Sequence, residues 1–100
     1  MALVGFSEVN HKTASLITIS NLASGGSIGT APATVDIATM IAVNQTTASQ
    51  TLTLPAPSAR TAGLVVPVVN TGSQAFTLYS RSVAANNIPS WFCWDGSNWH

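Results

Sequence analysis

Charge is what this sequence lacks most. Of 100 residues, three are acidic (Glu8, Asp36, Asp95) and three basic (Lys12, Arg60, Arg81), so the net charge is zero. Charged side chains make up 6% of the chain, against about 25% in an ordinary soluble domain. A surface that tracks phosphates needs clustered Lys and Arg, so nucleic acid is not expected as a partner. General acid–base chemistry draws on the same scarce side chains, which speaks against an enzyme. Disorder is excluded from the other side, because 46% of the residues are hydrophobic.

Cysteine is almost absent as well. Cys93 stands alone, so no intrachain disulfide staples the fold. The chain does not open on a basic segment followed by an apolar run, and no signal peptide is expected. Its longest uncharged stretches are broken by Gly, Pro, Ser and Asn, so neither a membrane span nor a membrane partner is expected. Asn44-Gln45-Thr46 matches the N-glycosylation pattern, but it has no secretory context here. Synthesis in a cytoplasm without an export route of its own fits these absences.

Ser and Thr fill the gap, with 24 residues between them, beside 15 Val and Ile and 14 Ala. β-Branched residues suit pleated, half-buried surfaces, whereas Glu and Lys, which clothe helices, occur once each. The composition predicts one small all-β domain with a surface of hydroxyls and amides. A surface so poor in charge tends to self-associate, so much of it is expected to lie against neighbours.

The spacing of apolar residues divides the chain in two. Residues 1–33 form an N-terminal arm with a first strand, and residues 34–100 form the folded module. In the arm, Met1 to Phe6 is an apolar tip and Ser15 to Ser20 a strand with Ile17 and Ile19 on one face. Gly25-Gly26, Gly29 and Pro32 mark a loop. In the module, residues 34–37 and 39–44 form a strand or a bent pair, with Ile41 and Val43 facing one way. Gln50 to Leu54 alternates, placing Leu52 and Leu54 inside and the two Thr outside. Leu64 to Val69 is apolar on both faces, and Pro67 predicts an edge or a bulge there. Asn70-Thr71-Gly72-Ser73 reads as a hairpin turn with Gly72 at positive φ. Phe76 and Leu78 then point inward and Thr77 and Tyr79 outward. After a turn at Asn86-Asn87, Ile88 to Trp94 is the last long strand and Asp95-Gly96 a closing hairpin. No window fits a helix. The expected fold is a single compact antiparallel β-sandwich or jelly-roll-like barrel with an extended N-terminal arm.

Aromatic residues are the most unusual cluster. Trp91, Phe92, Trp94 and Trp99 fall within nine residues. Alternation puts Trp91 and Cys93 on one face and Phe92 and Trp94 on the other. A strand bulky on both faces predicts that one face meets another subunit, where Trp is enriched. The alternatives are that all four close the core, or that an exposed Trp stacks on a sugar. Catalytic and metal patterns are missing. His11 and His100 have no triad-like partners, and Cys93 between two aromatics reads as a buried small hydrophobe. Joining His11, Cys93 and His100 around a metal would need three distant positions to converge. Gly25-Gly26-Ser27-Ile28-Gly29 lacks the Lys and helix of a phosphate loop. No cofactor is expected.

Three phrases carry a resemblance. They are Asn44 to Pro55, with its Thr51-Leu52-Thr53-Leu54-Pro55 core; Thr61 to Ser73, running from Thr61-Ala62-Gly63 into Val68-Val69-Asn70-Thr71-Gly72-Ser73; and the ending Phe92-Cys93-Trp94-Asp95-Gly96-Ser97-Asn98-Trp99. Together they resemble a small β module of tailed-bacteriophage virion proteins, both capsid decoration (cement) proteins and fibre tips. The resemblance covers about residues 34–100; Cys93 and Pro67 depart from its pattern, and residues 1–33 match nothing in it. It implies a homotrimer on the outer capsid surface of a virion, made in the host bacterial cytoplasm, with the major capsid protein as partner. A chain this short with no shaft favours a non-enzymatic cement protein that stabilises the shell. The alternative is the tip of a tail or head fibre that binds a host-surface glycan. On this reading Trp91, Phe92, Trp94 and Trp99 form the subunit interface. An apolar tip is costly to leave in water, so Leu3, Val4 and Phe6, supported by Ile17 and Ile19, are expected to attach to the capsid, or else Ile17 and Ile19 belong to the core sheet.

Overall fold

A computed structural model describes residues 14–100 of the chain. They form eight short strands: β1 (Leu16–Ile19), β2 (Gly26–Ser27), β3 (Met40–Val43), β4 (Gln50–Thr53), β5 (Val65–Asn70), β6 (Phe76–Leu78), β7 (Arg81–Val83) and β8 (Ser90–Cys93). The one helical element among the described residues is a 3-10 turn at Ala31–Ala33. No helix among the described residues is long and apolar enough to cross a membrane. The all-β expectation holds.

The strands make two four-stranded sheets, β1-β3-β5-β8 and β2-β4-β6-β7, here sheet A and sheet B. Successive strands from β1 to β6 alternate between them, so each turn of the chain adds one strand to each sheet. Leu16 lies level with Met40 and Ile41 with Val68, which makes a turn 24 to 27 residues long. Strands laid down this way run parallel, and four of the six ladders do. Only β5–β8 and β6–β7 are antiparallel. The expected antiparallel sheet is therefore corrected to two mixed sheets wound as a short coil. Alternation within a strand looks the same in either direction, because the side-chain period is two in both.

Inward residues of the two sheets share one core. Ile41, Val43, Val66, Val68 and Phe92 from sheet A meet Leu52, Phe76, Leu78 and Val83 from sheet B, and all are buried. The inward assignments of Ile41, Val43, Leu52, Leu54, Phe76 and Leu78 agree with the sequence pattern. Ile17 and Ile19 are in register with Ile41 and Val43 and pack on the same core. Ile28, beside β2, is fully buried. The folded unit thus includes β1 and β2 and begins before residue 34.

The corners where the chain crosses from sheet A to sheet B stack on one another through amide side chains. Gln45 is fully buried; its Oε1 accepts from the Leu22 N–H at 3.1 Å, and its Nε2 donates to the carbonyls of Leu22 (3.1 Å) and Thr47 (3.0 Å). Asn70, also buried, donates to the Gln74 and Val83 carbonyls and accepts from the Gly72 N–H. Buried backbone groups at a corner have no ladder partner, and these amides supply one. Residues 70–73 are such a corner rather than a hairpin, since β5 and β6 belong to different sheets. Gly72 does not have positive φ. It is needed because a Cβ there would sit 2.1 Å from the Gln45 carbonyl oxygen. The tight hairpin lies at Tyr79-Ser80, both at positive φ, between β6 and β7.

Pro67 sits in a central strand, not at an edge. The β3–β5 pairing starts one residue later, at Ile41–Val68, and the Trp91 carbonyl opposite Pro67 accepts from Arg81 instead of from β5. A residue without an N–H fits there without removing a ladder bond.

Candidate interaction face

The outward face of sheet A gathers three of the exposed large hydrophobic residues, Leu16, Val65 and Trp91. Leu16 pairs with Met40, and Pro67 with Trp91; the β3–β5 register puts Met40 level with Pro67. One row of apolar side chains therefore crosses all four strands. The neighbouring rows add Thr18, Ala42 and Val69 on one side and Val65 and Cys93 on the other. Ala42, Pro67 and Val69 at the centre are buried, whereas Leu16 (60%), Trp91 (60%) and Val65 (45%) are exposed. None of the four charged side chains in the described segment, Asp36, Arg60, Arg81 and Asp95, falls on these rows.

The structure divides the aromatic cluster. Alternation placed Trp91 and Cys93 together and Phe92 and Trp94 together, and that is their arrangement. Phe92, Trp94 and Trp99, however, lie in the chain's own core at 0%, 3% and 5% exposure. Trp94 and Trp99 meet edge to face at 5.4 Å across the bridge that closes the chain, and the Trp99 indole donates to the Pro55 carbonyl at 3.0 Å. The buried Trp94 indole N–H has no acceptor among the described residues. Phe92 is covered by the Arg81 guanidinium, 3.9 Å above its ring. Of the four aromatics expected at a subunit interface, Trp91 alone is exposed.

Arg81 also guards the outer edge of β8. It donates to the carbonyls of Trp91 and His100, and Cys93 and His100 exchange backbone hydrogen bonds of 2.8 Å. An edge strand with satisfied carbonyls and a fixed cation is a poor template for another chain. Beside it, the Asp95 carboxylate accepts from the Asn98 and Ser97 N–H groups and lies 2.5 Å from the His100 ring. Those backbone bonds first, and His100 second, hold its pKa at about 2.

The remaining sequence candidates separate. Leu3, Val4, Phe6 and His11 lie outside the described residues. Ile17 and Ile19 face the core and are half-buried, which agrees with the core-sheet alternative. Cys93 is exposed, not buried, because it shares the outward face with Trp91. Cys93 and His100 are ladder neighbours, yet no three His, Cys, Asp or Glu side chains converge among the described residues. Tyr79 was expected to face outward. Its hydroxyl turns back, accepting from the Leu54 N–H at 2.9 Å and donating to the Leu54 carbonyl at 2.8 Å, and burial pushes its pKa up. Sequence reasoning missed the Asp36–Ser58 contact, in which Ser58 donates to both carboxylate oxygens, because the partners are 22 residues apart with no motif between them.

No known protein family matches the chain, and no curated protein or solved structure is similar to it.

Proposed function

We propose that this chain is a non-enzymatic structural protein of a bacteriophage virion, a trimeric capsid decoration protein that associates through the outward face of sheet A and stabilises the shell. The observation that carries the reading is the uncharged row Leu16–Met40–Pro67–Trp91, with exposed Leu16 and Trp91 at its two ends. Apolar surface of this kind is stabilised by covering it, and Trp is a frequent anchor of such interfaces. A sheet face without charges also imposes no electrostatic penalty on identical copies.

The phrases behind the virion resemblance fall on consecutive parts of the coil. Thr51 to Pro55 is β4 and its exit, Thr61 to Gly63 leads into β5, Asn70 to Ser73 is the Gln45-backed corner, and Trp94 to Trp99 is the closure. They describe one structural unit, which supports reading them together.

Light scattering at micromolar concentration, paired with rebinding to phage heads stripped of decoration, tests the proposal. A trimer that binds such heads and raises the temperature at which they release DNA is expected. A monomer that leaves stripped heads unchanged would overturn it.

A further inference from the structure

A groove of about 420 Å3 opens between the turn after the 3-10 segment and the loop from β4 to β5. It is lined by Asp36, Pro57, Ser58, Ala59, Thr61 and Leu64, and shares none of them with the outward face of sheet A. Both walls are anchored. Val35 and Ala38, flanking Asp36 and Ile37, are buried; the Asp36 N–H donates to the Ala31 carbonyl at 3.0 Å and the Ala38 N–H to the Thr34 carbonyl at 2.8 Å. On the other wall Pro57 is buried, and Leu64 packs on the core.

The lining is mostly apolar, with one ionisable group. Ser58 holds the Asp36 carboxylate in a fixed plane, donating its N–H to Oδ1 at 2.9 Å and its hydroxyl to Oδ2 at 2.5 Å. Each carboxylate oxygen accepts more than one hydrogen bond, so capacity remains on both. The Ser58 bonds lower the pKa, so the group stays ionised near neutral pH. No cationic side chain lies within 4.0 Å of it among the described residues, where the one ion pair is His100–Asp95.

Chemistry narrows the occupant. An anion would be repelled by Asp36. A divalent cation would want several oxygen ligands, and a single carboxylate is a poor set. A sugar would want an aromatic platform, and none lines the groove. A Lys or Arg side chain has an aliphatic stem that covers apolar surface and a charged head that accepts no hydrogen bonds.

We propose that this groove docks a Lys or Arg side chain presented by a partner protein, with the stem along Pro57, Ala59 and Leu64 and the cationic head on Asp36. The site is independent of the self-association proposed above, so either can fail alone.

Titration of the isotopically labelled protein with N-acetyl-lysine methylamide, followed by amide chemical shifts, tests it. Saturable shifts are expected at Asp36, Ser58 and Leu64, and likewise with the arginine analogue. The norleucine and Nε-acetyl-lysine analogues should bind about fivefold more weakly or not at all. Near-molar salt should weaken the lysine probe, because the contact is partly exposed. Asp36→Asn, which keeps the side-chain shape, should bring the lysine probe down to the norleucine level. Equal binding of lysine and norleucine probes to the unmodified protein would overturn the proposal, as would an absence of shifts at tens of millimolar probe.

Discussion

Pro67 and Trp91 stand directly opposite each other in the β5–β8 ladder, on the side of sheet A turned away from the core. Pro67 is buried in the sheet and Trp91 is 60% exposed. Trp91→Ser should therefore leave folding stability within about 0.5 kcal/mol, as for surface positions generally, while shifting the proposed trimer toward monomer. Denaturant melts and light scattering on the same sample separate the two effects. An unchanged oligomer would remove Trp91 from the proposed interface.

Gly72 has no room for a side chain. A Cβ there would meet the Gln45 carbonyl oxygen at 2.1 Å and its nitrogen at 2.3 Å, both backbone atoms. Gly72→Ala should cost about 3 kcal/mol or more, at the upper end of overpacking effects. Gln45→Leu should cost about 2 kcal/mol by a different route, leaving the Leu22 N–H and carbonyl without their side-chain partner. Urea denaturation midpoints of the two variants check both.

The two closing indoles should respond differently to loss of the ring nitrogen. Trp99 donates to the Pro55 carbonyl, whereas the Trp94 N–H is buried with no acceptor among the described residues. Trp99→Phe should therefore destabilise by about 1 kcal/mol more than Trp94→Phe, the net worth of one hydrogen bond. Thermal unfolding of the pair reads the difference, and equal losses would mean that the Pro55 bond contributes nothing.

Acid should weaken the fold within a defined window. The Asp95 pKa is about 2 in the folded chain, below the roughly 3.9 of an unfolded aspartate, and that of Asp36 is lowered by Ser58. Their ionised forms favour the folded state at and above about pH 4. This contribution is lost as pH falls toward about 2, where the folded carboxylates take up protons. Urea midpoints should be flat from neutral pH to about 5 and then decline, and Asp95→Asn should flatten the decline.

The inward residues were legible in the sequence because alternation reports a face whatever the strand direction. Leu52, Leu54, Phe76 and Leu78 needed nothing more. The coil was not legible by that means, because parallel partners lie 24 to 27 residues apart and alternation is silent on partners. One available signal was the recurrence of an apolar strand ending in an amide-bearing corner, at Asn21, Gln45 and Asn70. The hairpin at Tyr79-Ser80 carries no Gly or Asn to announce it; the Tyr79 hydroxyl, bonded to both Leu54 backbone groups, helps hold a residue at φ 49°. In the candidate site, Trp91 could be assigned a face but not told apart in burial from Trp94 or Trp99. That distinction depends on Pro55, Arg81 and the closing bridge, all fixed by contacts distant in sequence.

The winding of the chain also sets an order in time. Each parallel ladder must close a loop of two dozen residues before its first bond forms, whereas β6 and β7 meet across two residues. Loop closure costs more entropy as the loop lengthens, and short hairpins form fastest. Folding should therefore start at the β6–β7 hairpin and the Trp94–Trp99 closure, with earlier turns laid onto that base one after another. β1 and β2, each paired on one side only among the described residues, should be the last strands to settle and the first to exchange their amide protons.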